Sequence, residues 1–295
     1  LYEGLTQAVS ESVGVDCACG ISLYPYLNYR RSELIDNCRK ALNYAMLLPG
    51  PKVGLFNSLA LNISADKLFS QGDPFAAIQE YKQALLADDK NSMAWISLGV
   101  CLAGVGRKND ARDAFEQALR LAPPAPQDVM AMYNLGQIHQ DLGESKDAAA
   151  YYRRCLKRDP EYVYAALRLG QLAEGAGRFA RARRWYAKAL ELPGGKGPAQ
   201  RRLARLALRL DNHDEAREHL HQALLADPQD AMALNLLARL YLDAGEDPEV
   251  ALALARQSVS LRPHIRANWQ ELARALEASG RPEDARQARL KAAEL

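Results

Sequence analysis

Small residues recur along this chain at a nearly fixed interval of about 34 residues. Successive gaps run from 34 to 37 residues, and the series is Ala65, Gly99, Gly136, Gly170, Ala204, Ala238 and Ala273. Each is followed, twelve or thirteen positions later, by one of Ala77, Ala111, Ala148, Ala182, Ala216, Ala251 and Ala285. A constant period of this length predicts a stack of similar supersecondary units, which favours holding a partner over catalysis.

Each unit has the pattern of two antiparallel helices. In the clearest unit, apolar residues recur every three or four positions on both sides of Gly106, namely Trp95, Leu98, Leu102, Phe115 and Ala118. Gly106 is predicted to end the first helix and Pro123 the second, because glycine accepts left-handed backbone angles and proline cannot continue a helix. Gly99 and Ala111 are small, so we expect the two helices to approach closely there.

These residues resemble the tetratricopeptide repeat (TPR), whose pattern combines W-x2-L-G with an alanine, an aromatic residue and a closing proline. Trp95, Leu98 and Gly99 match the first motif, whereas Gly194 and Asp89 replace the closing proline in two units. Residues 126–128 form a short insertion between units. The resemblance implies a mainly α, superhelical solenoid of about seven helix-turn-helix units within 58–295, at 58–91, 92–125, 129–162, 163–196, 197–230, 231–265 and 266–295.

Composition narrows the functional class. A net charge of +2 does not suggest general nucleic-acid binding, and neither a membrane-spanning apolar run nor a secretory signal is found. The five cysteines are scattered, and Cys101 and Cys155 fall on apolar helix faces, so we expect reduced, buried thiols in a cytoplasmic protein. The sequence lacks phosphate-loop, nucleophile and metal-ligand motifs, so we predict no catalytic residue, no metal and no cofactor.

Residues 1–57 do not follow the repeat. Their pattern predicts a helix at 1–12, an apolar strand from Val15 to Tyr24, a helix at 32–48 and a second apolar run from Val53 to Phe56. So small a partial α/β element cannot bury much core alone. We expect it to lean on further sequence before Leu1, on the first repeats or on another chain.

The same segment resembles the C-terminal part of a GGDEF (diguanylate cyclase) domain. The residues Gly20 to Pro25 match the strand pattern that ends in Y-P, and a helix with Leu34, Ile35, Ala41, Leu42 and Ala45 follows. The family's aspartate, tyrosine and lysine positions hold Arg39, Asn43 and Met46. The G-G-D-E-F loop is absent from these residues, so the resemblance implies a degenerate or truncated cyclase-like fragment.

In TPR arrays the first helix of each unit lines the binding groove, and positions 2, 5, 9, 12 and 13 of a unit face it. This rule predicts a partner-binding groove that contains Arg201, Arg205, Arg209, Arg239, Arg274, Gln137, Gln140, Gln171 and Asn235. Arginine binds carboxylates and peptide backbones well, so an acidic tail or helix is the expected ligand. The alternative is a solvated face on which each arginine pairs with a local acid such as Asp243 or Glu277.

Several groove positions of the first three units hold apolar residues, and these are Leu59, Phe69, Met93, Ile96, Val100, Met130 and Tyr133. An exposed apolar patch of this size usually has an occupant. Residues 1–57, a helix of a partner or a second copy of the chain are the three candidates, so homo-oligomerisation is one of the outcomes considered.

These patterns predict a non-enzymatic scaffold that binds a partner peptide or helix. The GGDEF resemblance implies that the scaffold belongs to a bacterial signalling protein. One alternative is that the chain is the C-terminal part of a diguanylate cyclase whose TPR arm dimerises or localises it. Another is that residues 1–57 are only a cap and the repeats assemble a larger complex.

Overall fold

The computed structural model describes Glu11 and residues 17–49, 52–121 and 127–295. The helix predicted at 1–12 therefore lies outside the described residues, apart from Glu11. Two short strands and fifteen α-helices follow: β1 Ala18–Ile21, α1 Leu34–Ala45, β2 Lys52–Leu55, α2 Ser58–Ser70, α3 Pro74–Ala87, α4 Ser92–Gly104, α5 Lys108–Leu121, α6 Gln127–Asp141, α7 Ser145–Arg158, α8 Val163–Gly175, α9 Phe179–Leu190, α10 Lys196–Arg209, α11 His213–Ala226, α12 Ala231–Asp243, α13 Pro248–Leu261, α14 Arg266–Ala278 and α15 Pro282–Glu294.

The helices α2 to α15 form seven consecutive helix-turn-helix pairs, which we number repeats 1 to 7. The predicted fold class, mainly α repeats preceded by a small α/β element, is therefore confirmed. None of the described helices is both long enough and apolar enough to span a lipid bilayer.

Local sequence sets the ends of the helices. The side chain of Asn91 accepts a hydrogen bond from the backbone N–H of Ala94 (3.0 Å), which caps the start of α4. Gly106 has a φ of +81°, and the next amide, that of Arg107, donates to the carbonyl of Leu102 (2.8 Å). The glycine turn predicted from the sequence is thus confirmed. Repeat 5 lacks this glycine, and Asp211 adopts the left-handed conformation there with a φ of +55°.

The small residue at position 8 of a repeat makes room for an aromatic ring on the second helix. A Cβ added to Gly136 would lie 2.5 Å from the ring of Tyr152, and one added to Gly170 would lie 2.3 Å from that of Tyr186. Both rings are fully buried. A larger residue at position 8 would therefore force the ring or the helix to move.

The chain divides into two compact bodies, Leu1–Arg158 and Asp159–Leu295. We call them the N-terminal body, with the α/β element and repeats 1 to 3, and the C-terminal body, with repeats 4 to 7. Within the N-terminal body one hydrophobic core runs from Ala41 and Phe56 of the α/β element to Leu135 and Ile138 of repeat 3.

In the α/β element, β1 and β2 pair in parallel, with α1 as the connection between them. The strand predicted from Val15 to Tyr24 is shorter than expected among the described residues, because pairing ends where the amide of Phe56 donates to the carbonyl of Ile21 (2.7 Å). Helix α1 packs so tightly on the strands that a Cβ at Gly20 would lie 2.2 Å from the carbonyl oxygen of Cys38. Glycine is required there by this close approach.

The α/β element leans on the first repeat. The Phe56 side chain is buried, and its ring meets those of Tyr26 and Tyr29 edge-on at 5.2 and 5.3 Å between centroids. Lys40 of α1 forms an ion pair of 2.5 Å with Glu80 of repeat 1. Of the three supports considered from the sequence, the described residues show the contact with repeat 1.

Candidate partner-binding surface

The exposed side of the first helix of each repeat, defined by positions 2, 5, 9, 12 and 13, is here called the first-helix face. In the N-terminal body, position 2 of the three repeats holds Leu59, Met93 and Met130, which are 45%, 43% and 51% exposed. Phe69 is exposed as well, whereas Val100 is partly buried. These side chains form an accessible apolar surface, which the described part of the α/β element leaves uncovered.

Ile96 departs from the expectation that it belongs to this exposed patch. It is only 4% exposed and packs in the core of the N-terminal body. Position 5 of repeat 2 thus turns toward neighbouring side chains, so Ile96 is a packing residue that a partner cannot reach.

Polar groups of repeat 3 border the apolar surface. The hydroxyl of Tyr152 donates to Oε1 of Gln140 (3.0 Å), so this buried tyrosine positions the amide of the first helix. Tyr133 is partly buried, and its ring lies 5.7 Å from that of Tyr152. Gln137 is partly buried on the same helix, one turn beyond Tyr133.

In the C-terminal body the predicted arginines differ in their surroundings. Arg201 forms an ion pair with Asp230, whose side chain caps the start of α12 by accepting hydrogen bonds from the amides of Met232 and Ala233 (3.1 Å each). The Arg201 side chain is three-quarters buried. This pair joins one repeat to the next, as expected from the alternative in which each groove arginine pairs with a local acid.

Arg209 belongs to a network that links three helices. Its guanidinium lies 3.2 Å from Oε1 of Glu174 and 5.3 Å from the ring centroid of Phe179. The other oxygen of Glu174 accepts a hydrogen bond from the hydroxyl of Tyr186 (2.8 Å). Burial, followed by the hydrogen bond to Glu174, raises the pKa of Tyr186 above its ordinary value, so this hydroxyl stays a donor.

Asp243 is shared by two of the predicted arginines. Arg274 contacts it at 2.6 Å and Arg239 at 3.3 Å, while Arg274 also reaches Glu271 at 2.9 Å. Partial burial raises the pKa of Asp243, but the hydrogen bonds and charges of Arg274 and Arg239 outweigh it and hold the pKa below its ordinary value. Glu271 is more deeply buried, so the effect of desolvation exceeds that of Arg274 and its pKa is raised.

The predicted amides make local contacts. Oε1 of Gln171 accepts from Arg168 (3.1 Å), and Nδ2 of Asn235 donates to the carbonyl oxygen of Ala267 in the next repeat (3.3 Å). The alternative of pairing with local acids therefore holds for four arginines, although Glu277 pairs with Arg289 and not with Arg274.

Arg205 is the exception among the predicted arginines. It is exposed, and within the described residues it forms no ion pair. It lines a cavity of about 340 Å³ together with Leu208, Arg209, Asp211, His213, Leu236, Arg239 and Asp243.

A second cavity, of about 500 Å³, shares Arg239 with the first and contains Arg266, Gln270, Glu271, Arg274, Arg289, Ala292 and Ala293. Together the two cavities hold six arginines against three acidic residues. Arg209 and Arg289 pair with Glu174 and Glu277, which lie outside the cavity linings, so Arg205 and Arg266 are the two lining arginines that the described residues leave unpaired.

Comparison with known proteins settles the family. Models of the tetratricopeptide repeat match residues 91–161, 133–198 and 174–240, which together span half of the chain. The chain belongs to the tetratricopeptide repeat family. TPR chains are scaffolds that bind other proteins, and their stacked repeats present an extended binding surface.

Solved structures with the same fold support this assignment. A TPR protein from Parabacteroides merdae is 20% identical, with a TM-score of 0.62 over 80% of this chain and 92% of that one. A chain of the APC/C hetero-tetramer Cut9–Hcn1 is 21% identical, with a TM-score of 0.59 over 75% of this chain and 43% of that one.

One curated relative also matches part of the chain. The probable UDP-N-acetylglucosamine–peptide N-acetylglucosaminyltransferase SPINDLY of Arabidopsis thaliana is 34% identical over 83 residues. The match covers 28% of this chain but only 9% of the relative.

The sequence rule also selects residues of the TPR surface that were not singled out above. Tyr164 and Met232 occupy position 2 of repeats 4 and 6 and are 56% and 50% exposed, so position 2 is apolar and accessible in both bodies. Arg266, at the start of α14, and Arg289, on the second helix of repeat 7, do not occupy the expected positions. No periodic signal marks them, because the cavity they line is formed by tertiary packing.

Proposed function

We propose that this chain is an interaction scaffold whose C-terminal body binds an acidic peptide segment of a partner protein. The observation that carries the proposal is that internal pairing leaves two arginines of these cavities free. Arg205 and Arg266 are exposed and form no ion pair in the described chain, so their guanidinium groups are available for carboxylates.

The apolar residues at position 2 extend the proposed site. Tyr164 and Met232 give a ligand apolar contacts beside the arginines, so the proposed ligand is amphipathic, with acidic side chains toward Arg205 and apolar ones toward Met232. Binding an amphipathic segment in a groove uses both kinds of contact at once.

Fluorescence anisotropy with a labelled peptide of alternating glutamate and leucine tests the proposal. The unmodified chain should bind it, and binding should weaken as salt is added. The double variant Arg205→Glu, Arg266→Glu should lose affinity by at least about tenfold, which corresponds to about 1.4 kcal/mol. Replacing the peptide's glutamates by glutamine should have a similar effect.

Arg256→Glu supplies the matched control, because Arg256 is exposed on the second helix of repeat 6 and lies outside both cavities. Equal losses in the control and in the double variant would mean that net charge alone governs binding. Unchanged binding in the double variant would refute the assigned surface.

The setting of a bacterial signalling protein in the cytoplasm is also a proposal, and the order of elements favours it. The parallel β1-α1-β2 unit has the strand-helix-strand order of the GGDEF resemblance. In this second candidate function the chain is the C-terminal part of a diguanylate cyclase whose TPR arm localises or dimerises it. GTP binding and cyclic dinucleotide formation by the longest form of the protein, together with its mass in solution, test this candidate.

A further inference from the structure

The turn between the two helices of repeat 3 brings three potential metal ligands together. One ligand atom from each of His139, Glu144 and Asp147 lies within 4.8 Å of the other two. Nδ1 of His139 is 2.5 Å from Oε2 of Glu144. These residues belong to the N-terminal body, and none of them lines the arginine cavities, so an inference about them does not rest on the proposed function.

Backbone geometry positions the two carboxylates. Gly143 has a φ of +80°, which reverses the chain so that the amide of Glu144 donates to the carbonyl of His139 (2.8 Å). Asp147 follows in the first turn of α7, where the helix dipole favours a negative charge. Both acids are therefore held beside the imidazole by a turn that other repeats also form.

The imidazole itself is held in place. Its side chain is only 13% exposed, and its ring stacks on that of Tyr151 with the planes 17° apart and the centroids 5.2 Å apart. Arg154 lies over the same tyrosine ring at 5.0 Å. An oriented donor loses little conformational entropy on binding a metal, which favours coordination.

Comparison with the other repeats shows that the histidine is exceptional. The position of His139 holds an apolar residue in every other repeat, and these are Leu68, Leu102, Ala173, Ala207, Tyr241 and Leu276. The chain thus places an imidazole in a slot that ordinary packing fills with a hydrophobic side chain.

The charge balance of this turn is also exceptional. In repeat 2, Arg107 pairs with Asp110 at 2.6 Å, and in repeat 6, Glu246 pairs with Arg217. No lysine or arginine of the described residues forms an ion pair with Glu144 or Asp147. Two carboxylates therefore lie beside one imidazole without an ion pair to lysine or arginine among the described residues, which leaves a site suited to a cation.

From this geometry we propose that His139, Glu144 and Asp147 bind a divalent transition-metal ion of the Zn²⁺ type. One imidazole nitrogen and two carboxylate oxygens are a ligand set for zinc, and water would complete the tetrahedron. The nitrogen donor disfavours Mg²⁺ and Ca²⁺, which prefer oxygen ligands. The ion would join the end of α6 to the start of α7 and stabilise repeat 3.

Calorimetric titration of the full chain with ZnCl₂ tests the proposal. Zinc also binds thiolates, so the titration uses a background in which Cys17, Cys19 and Cys38 are replaced by serine. One ion should bind per chain with a rise in the melting temperature, and the Co²⁺-loaded chain should show no thiolate-to-metal charge-transfer band.

Two variants should each lower zinc affinity by at least about tenfold. His139→Leu restores the residue that repeats 1 and 2 carry at this position, and Asp147→Asn changes an exposed side chain, so both should fold. Asp141→Asn is the control, because Asp141 is an exposed acid near the same turn that pairs with Lys108 (3.0 Å) and lies outside the cluster.

The outcomes separate cleanly. Loss of binding in both variants, with retention in the control, would support the site. Absence of zinc binding, zinc binding that survives His139→Leu, or Mg²⁺ binding of equal strength would each overturn it.

Discussion

The two bodies carry the same repeat but different chemistry on their first-helix faces. In the N-terminal body position 2 is apolar in all three repeats, with Met93 and Met130 about half exposed. In the C-terminal body the corresponding faces carry Arg205, Arg239 and Arg274 beside an apolar position 2. The residue type at the accessible positions can therefore vary between repeats, because the packing of a repeat depends on other residues.

The residues that do set the packing are alike in both bodies. Gly136 with Tyr152 in the N-terminal body has the same arrangement as Gly170 with Tyr186 in the C-terminal body. Each tyrosine ring packs against the glycine, and its hydroxyl donates to the residue at position 12 of the first helix, namely Gln140 or Glu174. Because the packing residues are shared and the exposed residues vary, one repeat family can bind many different partners.

Replacing Ile96 tests which residues of the first helix set the packing of repeat 2 and which remain accessible to a partner. Ile96→Ala should lower the free energy of unfolding by about 3 kcal/mol, because it leaves a cavity in the core. Met93→Ala, on the exposed side of the same helix, should change it by less than about 0.5 kcal/mol. Urea unfolding monitored by circular dichroism measures both, and equal effects would show that Ile96 is accessible after all.

Adding a methyl group at position 8 tests whether this packing is the same in both bodies. Gly136→Ala and Gly170→Ala should each cost about 2 kcal/mol of unfolding free energy, because the new Cβ would overlap a buried tyrosine ring. Thermal and urea unfolding of the two variants measure these costs. A markedly smaller cost in one body would contradict the conclusion that the glycine and the tyrosine pack in the same way in both bodies.

Gly175→Ala is the matched control for this pair. It lies at the end of the same helix as Gly170, and a Cβ there would meet nothing within 4 Å. Since alanine favours the helix, this variant should be neutral or more stable by about 0.5 kcal/mol.

The carboxylates of the C-terminal body should make its stability depend on pH. Asp243 has a lowered pKa, so its contribution to stability is present above the ordinary aspartate pKa and is lost as the pH falls through the folded-state value. Asp243→Asn should cost about 0.5 kcal/mol at neutral pH, a small value because the pair is partly exposed. The same change should strengthen acidic-peptide binding, because it frees Arg239 and leaves Arg274 with Glu271 as its remaining partner.

The contribution of Glu271 to stability should depend on pH in the opposite direction. Its pKa is raised by burial, so the protonated form is favoured in the fold, and its stabilising contribution is lost as the pH rises through the folded-state pKa. Glu271→Gln should therefore leave stability at neutral pH unchanged or slightly higher. Unfolding curves between pH 3 and 8 measure both variants, and a larger loss for Glu271→Gln than for Asp243→Asn would contradict these assignments.

Much of the fold followed from the sequence because its determinants are local and repeated. Gly106 marked a turn and adopts the predicted left-handed conformation, as do Gly143 and Gly177 at the same place in the next two repeats. The site was less predictable, since position 2 and position 9 indicate which side chains face outward but not which carboxylate each one meets. Asp230 and Glu174, which pair with Arg201 and Arg209, lie 29 and 35 residues away in the sequence.

The repeat, its period, its turns and the small residues that allow helices to pack can all be read from the sequence, because spacing along a helix fixes the face on which a residue lies. The structure was needed to show that Ile96 is buried, that Arg201 is held by Asp230, that Arg205 stays free and that His139 meets two carboxylates. The first three facts depend on contacts between helices, and the fourth depends on the path of the turn between α6 and α7. Periodicity within one helix carries no information about either.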